Sequence, residues 1–87
     1  MAVLYRHRVE GMDAALYDQV SPNLLESLKQ TPGFVYHVAF ASPEGFTISE
    51  IWESREQRDE WFDNDVRGNV PAEIQVEAID VHNIATS

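Results

Sequence analysis

The sequence predicts an α+β fold of element order β-α-β-β-α-β, the ferredoxin-like split βαβ arrangement. Three observations carry this: alternating apolar stretches at 3–9, 46–52 and 74–81, a continuously apolar stretch at 34–41, and two helix-start signals in the intervals between them. With 87 residues the chain suffices for one hydrophobic core, so residues 1–87 are read as a single domain.

Each element has its own residue-level reason. In the first strand Val3, Tyr5, His7 and Val9 share one face and Leu4, Arg6 and Arg8 the other. Gly11 ends it, and Asp13 can cap a helix in which Leu16, Val20, Leu24 and Leu28 recur every four residues, with Tyr17 and Leu25 alongside. Pro22 lies inside that helix and brings no amide proton, so a kink or a restart is expected at Ser21-Pro22. Thr31-Pro32-Gly33 breaks the helix before Phe34–Ala41, a strand apolar on both sides. Ser42-Pro43-Glu44-Gly45 then supplies a turn, with glycine where positive φ is needed, so strands two and three form a hairpin.

Ser54-Arg55-Glu56-Gln57 fits a capping box, with Ser54 as the cap and Gln57 reaching back to its amide. The second helix is expected to run to about Gly68, docked mainly by Trp61, Phe62 and Val66, with Pro71 marking the exit. In the last strand, Ile74–Val81, the pair Ile74 and Val76 is out of phase with Ile79 and Val81, which predicts a bulge near Glu77-Ala78.

Right-handed crossovers put both helices on one face of an antiparallel sheet ordered four, one, three, two. The opposite face must display either Phe34, Tyr36, Val38 and Phe40 or Val35, His37, Ala39 and Ala41, and both sets are largely apolar. Leaving roughly six to ten such side chains in water forgoes on the order of 10 kcal/mol, comparable to the whole stability of a domain. A homodimer joined through the open sheet face is therefore expected.

Composition narrows the partners. The chain has 44% hydrophobic and 24% charged residues and a net charge of -9, most of it in residues 44–87. A surface of that sign repels phosphate, so neither nucleic acid nor an anionic membrane is an expected partner. No cysteine is present, which rules out disulfides and thiolate zinc sites. The amino-terminal residues meet charge after a few positions and lack a signal-peptide core, and no apolar run is long enough to span a bilayer, so a cytoplasmic location is expected.

The segment Glu44-Gly45-Phe46 through Glu50-Ile51-Trp52-Glu53-Ser54-Arg55-Glu56, then Trp61-Phe62, and finally Val81-His82-Asn83-Ile84, resembles small actinobacterial-type proteins of the antibiotic biosynthesis monooxygenase superfamily. The resemblance implies a dimeric α/β barrel and, as chemistry, cofactor-independent oxygenation of an aromatic or polyketide-like small molecule. That chemistry asks for a pocket, a base and hydrogen bonds to a substrate anion, so no cofactor and no metal are expected. The same resemblance assigns Trp61, nine residues beyond Trp52, to a pocket-facing helical position; its other reading is an anchor that docks a polar helix on the sheet. Haem opening is not implied, because the strand-one Asn of those enzymes would fall on Leu4, Arg6 or His7 and their haem-ligating His near Pro71.

His7, His37 and Glu50 are the candidate catalytic residues. The histidines are the side chains that titrate near neutrality, although strand three separates them by about 9.6 Å, too far to share a metal. Glu50 shares a face with Ile48 and Trp52, a setting expected to raise its pKa unless Arg6 or Arg8 pairs with it. Trp61, Tyr36, His82 and Asn83 are the candidate ligand-binding residues, the last two either facing a cavity or capping the barrel. A cavity of about 300 Å³ or more, lined by Trp61 and a histidine or Glu50, favours an enzyme; a filled interior favours a non-catalytic small-molecule binding or assembly module.

Overall fold

In the computed structural model, which describes residues 2–43, 45–66 and 74–86, the elements follow the expected order. They are β1 (Val3–Val9), α1 (Ala14–Lys29), β2 (Phe34–Ser42), β3 (Gly45–Trp52), α2 (Arg55–Trp61), a π-helical segment Phe62–Val66, and β4 (Ile74–Asp80). The sheet is antiparallel, in the order β2-β3-β1-β4. Both helices lie on the face that carries Val3, Tyr5 and Trp52, where Leu28, Trp61 and Val66 complete the core.

The caps behave as the residue types demand. The Asp13 side chain accepts from the Leu16 amide at 2.8 Å, and the Ser54 hydroxyl accepts from the Gln57 amide at 3.2 Å. The Gln57 side chain does not reach the Ser54 amide; its carbonyl accepts from the Ser54 hydroxyl at 2.9 Å instead. Gly33, at φ 90°, lies so close to the Gln57 side chain that a Cβ there would collide with it. Helix α1 runs through Pro22 without a restart, carrying Ser21 and Leu28 into the interior. Helix α2 gives way after one and a half to two turns to the π-helical segment, whose Val66 is buried. The expected stop at Gly68 and the exit at Pro71 lie outside the described residues.

One register expectation is corrected. Strand β4 pairs with β1 without interruption, so there is no bulge at Glu77-Ala78. Its change of phase instead serves both faces: Val76 pairs beside His7 on the helix side, while Ile79 pairs beside Leu4 on the open side. The irregularity falls in β2 between Phe34 and Tyr36. There Val35 is the extra residue, which lets Phe34 point inward to meet Trp52 edge-on while Tyr36, Val38 and Phe40 face outward.

Candidate active site

Strand register places three titratable side chains on the helix side of the sheet. Glu50 on β3 stands opposite His37 on β2, and His7 on β1 stands opposite Ile48, one step along the same face. Above them is a cavity of about 490 Å³ roofed by α1 and the π-helical segment. His7, His37, Ile48 and Glu50 form its floor, and Tyr17, Leu24, Trp61 and Phe62 stand among its walls. Its volume exceeds the size at which the sequence favours an enzyme over a filled module.

Glu50 is 3% exposed, and both of its oxygens are engaged. Oε2 is 3.0 Å from Nδ1 of His37, and Oε1 accepts from the Trp52 indole at 3.2 Å. Burial alone pushes this carboxyl up, but the hydrogen bonds from His37 and Trp52 and the nearby imidazoles outweigh it, so the pKa falls below 4.5. The expected rise is thus corrected. The alternative pairing with Arg6 or Arg8 does not occur either, because alternation puts those residues on the other face, where Arg6 meets Glu77 at 3.5 Å.

A carboxylate only accepts, so Nδ1 of His37 carries the proton and Nε2 faces the Tyr17 hydroxyl at 2.7 Å. The Tyr17 ring also stacks on the imidazole, 6.2 Å between centroids, and leans on Phe46. Burial raises the Tyr17 pKa and keeps the phenol protonated. The result is a continuous chain, Glu50–His37–Tyr17, ending at the cavity wall.

His7 is built differently. Its Nδ1 stands 3.0 Å from the Ile48 carbonyl, an acceptor, and its Nε2 stands 2.8 Å from the Arg58 guanidinium, a donor. Both contacts are satisfied only by the neutral ring protonated at Nδ1. Burial above all, with Arg58 adding to it, holds the His7 pKa below 6.5. With its lone pair taken, His7 serves to hold Arg58. Arg58 is itself sandwiched between the rings of Tyr5 and Phe62, 4.3 and 4.2 Å from their centroids.

Trp61, 4% exposed, tilts against Trp52 at 5.5 Å, and its indole nitrogen has no partner among the described residues. It therefore combines both roles weighed from the sequence: it packs on the sheet and it faces the cavity. Tyr36 lies on the opposite sheet face and is 42% exposed. His82 and Asn83 are exposed beyond the end of β4 and do not line the cavity. Sequence reasoning missed Tyr17 and Arg58 as site residues. Arg58 carried a signal, since it stands three and four residues before Trp61 and Phe62 and so shares their buried helix face.

The ferredoxin-like α+β fold of the single chain, which the resemblance implied, is shared with solved structures of low sequence identity. A mutant of SnoaB, a cofactor-independent oxygenase from Streptomyces nogalater, superposes with a TM-score of 0.73 at 13% identity over 99% of this chain and 98% of that one. The heme-degrading protein Rv3592 of Mycobacterium tuberculosis gives a TM-score of 0.65 at 14% identity, over 99% and 100% of the two chains. Rv0793 of the same organism gives 0.64 at 15% identity, over 98% and 97%. No family model and no curated protein matches the sequence. At these identities the likeness concerns the fold. The site itself does not fit a haem among the described residues, because both nitrogens of His7 and of His37 are already bonded. No helix among the described residues is long and apolar enough to cross a membrane.

Proposed function

We propose that the protein is a cofactor-independent oxygenase acting on an aromatic, polyketide-like small molecule held between the sheet and the helices, with His37 as the base. The observation that carries this reading is the Glu50–His37 pair on the floor of the 490 Å³ cavity. A carboxylate behind a histidine fixes the tautomer and stabilises the imidazolium that forms when the ring takes a proton. An anthrone-type substrate loses a proton to become a carbanion, which reacts with dioxygen to give a hydroperoxide. Loss of water then leaves a carbonyl, so that CH2 and O2 become C=O and H2O. Apolar side chains among the cavity walls, Leu24, Trp61 and Phe62, suit the aromatic frame of such a substrate.

The reading includes a homodimer formed through the open sheet face. Tyr36, Val38 and Phe40 on β2 and Ile79 on β4 are each 38–45% exposed there, a row of apolar side chains that a second copy would cover.

Oxygen uptake with a panel of anthrones and quinols tests the reaction. One dioxygen should be consumed per anthrone, and His37→Gln should slow turnover by about 100-fold. Absence of uptake across the panel, or an undiminished rate in His37→Gln, would overturn the proposal.

A further inference from the structure

We infer that Tyr17 is the catalytic residue that meets the substrate's acidic hydrogen and relays the proton to His37. The inference rests on the oxygenase reading and adds the group that touches the substrate. Nε2 of His37 is the nitrogen that must receive a proton, since Nδ1 already donates to Glu50. The lone pair of that nitrogen is already engaged, because the Tyr17 hydroxyl stands on it at 2.7 Å. The phenol ring is stacked on the imidazole on one side and backed by Phe46, so it is held in place. Tyr17 also lines the cavity.

The step balances. The substrate's C–H or O–H bond breaks and its proton joins the phenol oxygen of Tyr17, while the proton already on that oxygen passes to Nε2 of His37. Substrate is left as the anion, Tyr17 stays neutral, and the imidazolium rests against the Glu50 carboxylate. The ligand class follows from this: a molecule with one acidic C–H or phenolic O–H presented edge-on to Tyr17, on an aromatic frame matching the apolar remainder of the cavity.

The test uses alizarin, a hydroxyanthraquinone whose visible band moves to the red on ionisation, at a pH where the free dye is neutral. Bound to the wild-type protein it should be ionised, and in His37→Gln it should bind as the neutral form. Tyr17→Phe should bind the dye within about threefold of wild type while the ionised fraction falls at least about tenfold. A Tyr17→Phe variant that ionises the dye as fully as wild type reduces Tyr17 to wall, and a wild-type protein that neither binds nor ionises the dye removes the relay altogether. Ionisation in the expected pattern without oxygen uptake from any anthrone would leave the relay standing and overturn only the oxygenase reading.

Discussion

Arg58 of α2 donates to Nε2 of His7 on β1 at 2.8 Å, across the interface between helix and sheet. The contact ties a short helix, poor in apolar residues, to the middle of the sheet through a guanidinium clasped by Tyr5 and Phe62. Arg58→Met keeps the stem volume but leaves Nε2 of His7 buried without a donor, at a cost of about 2–4 kcal/mol. The same change removes one of the influences that depress the His7 pKa, of which burial is the largest, so the imidazole should titrate higher. A urea midpoint within error of wild type, or an unmoved His7 titration by NMR, would contradict this.

Acid stability follows from the two depressed groups. His7 and Glu50 both have folded pKa values below their ordinary 6.5 and 4.5, so in each interval the unfolded chain binds more protons than the folded one. Their contributions are fully present above the ordinary values and are lost as pH falls through the folded ones. The unfolding midpoint should therefore begin to drop just below 6.5 as His7 is forced to charge, and drop again below 4.5 as Glu50 is protonated. His7→Gln should remove the first decline and leave the second. A midpoint in the wild type that is level through the first interval would show that His7 is not held neutral.

The fold was legible where local chemistry and tertiary packing agree: Asp13 and Ser54 cap, Gly45 turns at φ 126°, and β1 alternates as its apolar residues do. It was not legible where both faces of a strand are apolar, because alternation then says nothing about which side faces in. The bulge at Val35 in β2 therefore left no mark in the pattern, whereas the phase change at Glu77-Ala78 reads as a bulge that the β1–β4 pairing does not contain. The site was half legible. Parity placed Glu50 beside Ile48 and Trp52, but it left open which face of β2 carries His37, and the pairing that decides the Glu50 pKa lies across the β2–β3 register, which the bulge fixes. Tyr17 looked like one more member of a helical stripe, since its bond to His37 is a contact between elements with no local trace.

The outward residues of β2 give a test of the proposed dimer. Phe40 is 45% exposed and Val38 38%, so neither contributes much to the fold of one chain. Phe40→Asp places a carboxylate where the second copy's apolar face would lie, and its desolvation should weaken self-association by about 100-fold while the single chain stays folded. Sedimentation over a dilution series reads this directly. A wild-type chain that sediments as a single copy at working concentration would sink the dimer.

Trp61 separates packing from recognition, because its ring and its nitrogen have different neighbours. The ring fills the space beside Trp52, so Trp61→Ala should cost about 3–5 kcal/mol through the void it leaves. Its indole nitrogen is buried with no acceptor among the described residues, a donor position that a ligand carbonyl can satisfy. Trp61→Phe loses no internal hydrogen bond and should cost only about 1 kcal/mol. If the nitrogen does bond a ligand, the Phe variant should bind a quinone or anthrone about tenfold more weakly, the worth of one such bond. Calorimetry on wild type and Trp61→Phe, with thermal unfolding run alongside, decides between the two roles: unchanged affinity would leave Trp61 as the bolt that holds α2 on the sheet and nothing more.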